Sequence, residues 1–101
     1  LLPPQEPQIP LGKYGLMRRR FLMQSRSVTY TNLLTTGQLH SHLMEIEETA
    51  RSRVESIVSQ MAQTEGVTEE LKAADQMKWV GLMNNFRAAA EEQVLMELIY
   101  A

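Results

Sequence analysis

The chain has 101 residues, of which 44% are hydrophobic and 22% are charged, and its formal net charge is −2. This is ordinary usage for one globular domain of residues 1–101, and no apolar run approaches the roughly 20 residues that a bilayer span needs. Cysteine is absent, which excludes disulfides, zinc–thiolate sites and thiol nucleophiles. We therefore expect a cytoplasmic protein without membrane contact. Because the chain starts at Leu1, we also expect that an N-terminal segment of the natural protein is missing.

The charge is distributed unevenly along the chain. Residues 1–40 carry five basic side chains against Glu6 alone, a balance of +4, whereas residues 41–101 carry five basic and eleven acidic side chains, a balance of −6. Opposite charges of this kind can pair within one molecule, between molecules or with an anionic partner. Composition does not choose among the three.

The chain begins with a proline-rich segment, residues 1–10, which contains four prolines. Proline lacks an amide donor and holds the backbone near polyproline geometry, so the segment is predicted to be an extended arm. Residues 12–24 then suit a helix. Three apolar side chains share one side of it at helical spacing: Tyr14, Met17 and Phe21.

Residues 25–36 give two conflicting signals. Val28 to Thr31 favour a strand by propensity, whereas Leu33, Leu34 and the following Gly37 suit a short helix that stops in a left-handed residue. We predict a helix.

A long third helix is predicted from residue 39 to about residue 65. Its apolar residues recur at steps of three and four over six turns. They are Leu39, Leu43, Ile46, Ala50, Val54, Ile57 and Met61. Gly66 is expected to end this helix, and Thr68 to cap a fourth helix over about residues 69–100, with Glu69 and Glu70 at the positive end of its dipole. The predicted fold is all-α: a small helical bundle built on this long antiparallel hairpin, with two shorter N-terminal helices and the extended arm.

The length of the last helix predicts self-association. A helix over residues 69–99 would be about 46 Å long, whereas a compact sphere of this mass is about 34 Å across. It would overhang its own domain or pack on a second copy as a dimer. Trp79, Leu82, Met83, Phe86, Ala89 and Ala90 are assigned to the core. A second face is either half-solvated, with an Arg87–Glu91 pair, or a dimer seam in which Asn84 fixes register. The candidate self-association residues are Met77, Val80, Asn84, Val94, Leu95, Leu98 and Ile99.

Catalytic and metal-binding patterns are absent from the sequence. His40 and His42 point about 200° apart on a helix, so they cannot coordinate the same metal ion. The paired Glu-x-x-His motifs of bundle di-metal sites, a hydrolase elbow and Gly-rich phosphate loops are missing. We therefore expect no enzyme activity, no cofactor and no small-molecule substrate.

Nucleic-acid binding is the functional signal that the sequence retains. Guanidinium groups suit phosphate geometry, and the helix, Gly37 turn and helix around residues 29–42 resemble a helix-turn-helix corner. The competing interpretations are a solvated basic face that pairs with acidic helices and an ordinary helix corner. Glu45, Glu47 and Glu48 argue against DNA because they would repel phosphate. The candidate DNA-contacting residues are Lys13, Arg18, Arg19, Arg20 and Arg26, for phosphates, and Gln38, His40 and Ser41, for bases.

Three separated stretches carry a family resemblance: YTNLLTTGQL from Tyr30, QMKWVGLMNNFR from Gln76 and ELIYA from Glu97. With them the chain resembles the TnpV family of transposon-encoded proteins over most of its length. The resemblance implies a bacterial, cytoplasmic setting, a role linked to transposition and no catalytic residue to carry over.

Residues and resemblance together predict an accessory protein of a mobile element that binds DNA as an excision or regulatory factor. The alternative is a non-enzymatic module for protein–protein interaction or oligomerisation, whose partner is a second copy or another protein of the element.

Overall fold

The computed structural model describes residues 10–101, in which all regular structure is helical and no strand occurs. The helices are α1 (Lys13–Ser25), α2 (Ser27–Thr35), α3 (Leu39–Thr64), α4 (Glu69–Ala74) and α5 (Gln76–Val94), and a π-helical turn, Leu95–Ile99, follows α5. The all-α prediction is confirmed for this range, including the helical interpretation of residues 25–36. Most of the predicted proline arm lies outside the described residues.

Two glycines end helices as the sequence predicts. Gly37 and Gly66 have φ values of 72° and 69°, in the left-handed region where a side chain is unfavourable. After α2, the Gly37 N–H donates to the Leu34 carbonyl and the Gln38 N–H donates to the Leu33 carbonyl. The same pair of bonds closes α3 around Gly66. Both ends are therefore Schellman motifs, which satisfy carbonyls that the helix leaves without partners.

The final segment is not the single helix that we predicted for residues 69–100. Asp75 leaves helical geometry, with φ −149° and ψ 86°, and separates α4 from α5. Its carboxylate accepts the Lys78 N–H at 3.1 Å and so caps α5. An aspartate satisfies these amides in a non-helical conformation, which explains why it competes with helix continuation. Thr68 caps α4 as predicted, accepting the Leu71 N–H at 3.4 Å. The length argument for self-association does not hold for the interrupted helix.

The helices form two compact units, residues 1–47 (unit 1) and residues 48–101 (unit 2), and the boundary lies within α3. The prediction of one domain for the whole chain stays a prediction. In unit 1 the buried apolar side chains of the described residues are Tyr14, Leu22 and Leu43. In unit 2 they are Ala50, Val54, Ile57, Val58, Val67, Ala90, Val94 and Ile99. Most of the predicted α3 stripe is thus buried. Of the core predicted in α5, Ala90 is buried, Ala89 is exposed and the other four side chains are half-buried.

A buried carboxylate fixes the start of α1. Glu47 is only 6% exposed, and its Oε2 accepts the Gly15 N–H at 2.8 Å. Gly12, the residue before α1, offers no side-chain cap, and the first turn of α1 carries no acidic residue. Glu47 therefore supplies from α3 both the acceptor and the negative charge that a helix N-terminus favours. Gly15 permits the approach, since a Cβ there would lie 3.2 Å from the Leu43 carbonyl oxygen.

Candidate functional site

The basic residues of α1 do not form one patch. Arg18 is half-buried, with its guanidinium 5.6 Å from the centre of the Phe21 ring, and Arg26 approaches the same ring at 5.4 Å. Burial and the charge of Arg26 lower the pKa of Arg18. Arg19 and Arg20 are exposed. The three consecutive arginines thus fan out around the helix, as the 3.6-residue period requires.

Lys13 is also exposed, and its ammonium lies 5.4 Å from the centre of the Tyr14 ring. Its position at the first residue of α1 separates it by more than one turn from the arginines. A cation over an aromatic face gains about 0.5–1 kcal/mol at an exposed site.

The candidate base-contacting residues, at the start of α3, differ in their exposure. Gln38 and Ser41 are exposed, whereas His40 is half-buried and lines a groove of unit 1. His42 faces a different environment, next to Arg18. Its Nε2 is buried, without a hydrogen-bond partner among the described atoms. Burial and the charge of Arg18 lower the pKa of His42, against a smaller opposing effect of Glu45.

The groove of unit 1, called the Tyr30 groove below, brings together residues that sequence reasoning kept apart. It has a volume of about 410 Å³ and is built from the segment before α1, from α1, α2 and the start of α3. The described residues that line it are Leu11, Arg19, Tyr30, Leu34, Gly37, Leu39, His40 and Leu43. None of them is acidic. Arg19 and His40 were predicted site residues. Tyr30 and Leu34 were not, because their strand propensity and helical spacing indicate only a structural role.

Glu47 is a third residue whose role sequence reasoning missed. It was considered only as a carboxylate that would repel phosphate, yet it binds the backbone of α1. A signal was present: Glu47 lies four residues after Leu43 and three before Ala50, in the middle of the apolar stripe of α3. A charge at such a position must be paired or hydrogen-bonded, because burying it alone is costly.

Unit 2 uses its arginines differently. The Arg87 guanidinium donates to Glu55 at 2.8 Å, and Arg53 donates to Glu97 at 3.4 Å. Gln93 also donates to Glu97, at 3.0 Å. The groove between α3 and α5, with a volume of about 490 Å³, has Arg53 and Gln93 among its lining residues. Two of the polar side chains that line this groove, Arg53 and Gln93, therefore both donate to Glu97.

The predicted self-association residues fall into two groups. Met77, Val80 and Asn84 are exposed, and Met77 is 85% exposed. In contrast, Val94 and Ile99 have no exposed surface, and Leu95 and Leu98 are half-buried. Val94 and Ile99 therefore belong to the buried core of the chain, which leaves the first turns of α5 as the exposed part of the predicted face.

Over residues 10–101, no three histidine, aspartate or glutamate side chains are grouped so that they could hold a metal ion. Nor is any helix in that range both long enough and apolar enough to cross a bilayer. Fold and site together define a small all-helical protein with a basic N-terminal unit and an acidic C-terminal unit.

The chain belongs to the TnpV family: the family model described as "Transposon-encoded protein TnpV" matches residues 1–99. The resemblance carried by the three sequence stretches is thereby confirmed. No curated protein and no solved structure matches the chain.

Proposed function

We propose that this protein is a cytoplasmic accessory factor of a bacterial mobile element that binds DNA through unit 1. It acts in excision or in regulation and has neither catalytic activity nor a cofactor of its own. Its family supports the link to a mobile element. Antiparallel packing of α3 against the last helices is part of the proposal, and the reversed order of the pairs Arg53–Glu97 and Glu55–Arg87 supports it.

One observation carries the DNA hypothesis. Arg19 and Arg20 are exposed, and within the described range neither has a carboxylate partner, whereas Arg53 and Arg87 are both paired. Unit 1 holds five basic and three acidic side chains, and one of those acids, Glu47, is bound to backbone. An exposed guanidinium without a carboxylate can neutralise a phosphate and release a counterion, which is the main source of affinity for DNA.

Fluorescence anisotropy with labelled DNA tests this proposal. The chain should bind DNA at about 50 mM salt and lose affinity steeply by about 200 mM, because each phosphate contact adds to the salt slope. The double variant Arg19→Gln/Arg20→Gln should bind at least about tenfold more weakly.

The matched control is Arg53→Gln/Arg87→Gln, which removes the same charge from unit 2. It should bind DNA as the unchanged chain does. Absence of binding at low salt, or equal losses in the two double variants, would refute the proposal.

A second candidate function, self-association, rests on the exposed apolar side chains of α5. Met77 is 85% exposed and Val80 is 39% exposed. Burying them on a second copy would remove apolar surface from water, which favours association. Light scattering should then give a dimer mass at micromolar concentration and a monomer mass for Met77→Glu/Val80→Glu. A monomer mass for the unchanged chain at every concentration tested would exclude this function.

A further inference from the structure

We infer that the DNA recognised by unit 1 is single-stranded, and that the Tyr30 groove holds one unstacked base against the Tyr30 ring. This inference rests on the proposed function and adds the class of nucleic acid. It follows from the shape of the groove, from the chemistry of its walls and from the position of the exposed charge.

The shape of the site does not suit a duplex reader. A recognition helix projects into the major groove and presents its first residues to base edges that remain stacked. In unit 1 the corresponding residue, His40, instead lines a recess of about 410 Å³ together with Leu34 and Leu39. A recess accepts a group that protrudes from its strand. An unstacked base protrudes in this way, and a base within a duplex does not.

The walls of the recess suit a nucleobase. Tyr30 is half-buried, and Leu34, which is 54% exposed, provides an apolar wall that gains from being covered. An aromatic face stacks on any base, and this is the usual anchor in proteins that bind single strands without strict sequence preference. At Gly37 an added Cβ would meet no atom within 4 Å, so the rim of the recess is open there.

The exposed charge lies where the strand would continue. Arg19 lines the recess and is itself exposed, so its guanidinium can reach the phosphate next to a base held there. Among residues 10–101 no carboxylate lines the recess, so a phosphate next to the bound base would lie beside the positive charge of Arg19. An aromatic platform with an adjacent guanidinium is the combination that single-stranded nucleic acid requires.

The test compares a labelled 12-nucleotide strand of mixed sequence with the same strand annealed to its complement, by fluorescence anisotropy at about 50 mM salt. The unchanged chain should bind the single strand more tightly. Tyr30→Ala and Tyr30→Leu should each weaken binding of the single strand at least about fivefold, because both remove the aromatic ring on which a base stacks. Tyr30→Leu keeps an apolar side chain at this position, so its loss of binding is due to the ring itself. Tyr30→Phe, which keeps the ring, should bind within about twofold of the unchanged chain.

Tyr100→Ala is the control, since it removes a 48% exposed tyrosine from unit 2. It should change neither the affinity for the single strand nor the affinity for the duplex. Circular dichroism melting of each variant separates loss of binding from loss of folding.

The outcomes distinguish this inference from the proposal on which it rests. Duplex binding as tight as single-strand binding, or single-strand affinity unchanged in Tyr30→Leu, would overturn the single-strand inference and leave DNA binding standing. Absence of binding to both probes would instead remove the proposed function itself. A preference for the single strand that Tyr30→Leu loses and Tyr30→Phe keeps would support the inference.

Discussion

Units 1 and 2 are both helical but differ in what their carboxylates are shown to bind. In unit 2, Glu55 and Glu97 bind the guanidinium groups of Arg87 and Arg53. In unit 1, the buried Glu47 accepts the Gly15 backbone N–H, while Arg19 and Arg20 stay exposed. Exposed ion pairs contribute only about 0–1 kcal/mol each to stability. The main consequence of the ion pairs in unit 2 is therefore that Arg53 and Arg87 are already paired with carboxylates. The comparison teaches that net charge per segment is a poor guide to which cations a partner can reach.

The largest expected effect concerns Glu47. Glu47→Ala should lower the free energy of unfolding by about 1.5–3 kcal/mol, because it removes a buried charged acceptor of the Gly15 N–H and leaves that amide unsatisfied. Glu47→Gln keeps an acceptor oxygen and should lose less. Urea denaturation measures both variants.

The neighbouring residue provides the control. Glu48 is exposed, and Glu48→Ala should change the free energy of unfolding by no more than about 0.5 kcal/mol. Equal effects at the two positions would break the contrast between a backbone-binding and a solvated carboxylate.

The next effect tests a feature that the units share. Gly37→Ala in unit 1 and Gly66→Ala in unit 2 should each lower the free energy of unfolding by about 1 kcal/mol, because both residues hold positive φ. No atom lies within 4 Å of the added Cβ, so no steric clash adds to this loss. Asparagine tolerates this conformation better, so Gly37→Asn and Gly66→Asn should cost less than the alanine variants. Thermal melting checks all four. An alanine variant as stable as the unchanged chain would show that its turn does not depend on the left-handed residue.

A smaller effect separates two glycines inside helices. Gly81 has open space around it, so Gly81→Ala should stabilise the chain by about 0.5–1 kcal/mol through helix propensity. Gly15→Ala should show no such gain, because its Cβ would lie 3.2 Å from the Leu43 carbonyl oxygen and 3.3 Å from Leu11 Cδ2. Chemical denaturation measures the difference between the two variants. An equal gain at both positions would show that α1 can move away from α3 at no cost.

The smallest expected effect is a pH dependence that unit 1 confers through His42. Its pKa is lowered by burial and by Arg18, so the unfolded chain takes up a proton more readily than the folded chain below pH 6.5. Stability should therefore be lost as pH falls from about 6.5 towards 5, where carboxylates also begin to titrate. Denaturation midpoints at several pH values measure the loss, which His42→Gln should reduce. An unchanged loss in His42→Gln would contradict the assignment.

Local rules were sufficient for most of the secondary structure. The ends at Gly37 and Gly66 and the cap at Thr68 depend on conformations and hydrogen bonds within a few residues. Asp75 was the exception, because apolar periodicity continues through it and only its capping of Lys78 shows that the helix restarts there.

The site was less predictable, for a physical reason. Arg19, Tyr30 and His40 belong to three helices, and no spacing along the chain indicates that they line one recess. The same holds for Val94 and Ile99, whose apolar character fits a dimer seam and a buried core equally well.

The sequence by itself determined the helical class, the ends of most helices, the family and the uneven charge, since each depends on residue identity and on contacts between near neighbours. Only the tertiary structure decided that Glu47 binds the start of α1, that Arg19 and Tyr30 line one recess and that Val94 and Ile99 are buried. Those facts depend on which helix faces come together, and hydrophobic burial selects faces without fixing which polar groups meet beside them.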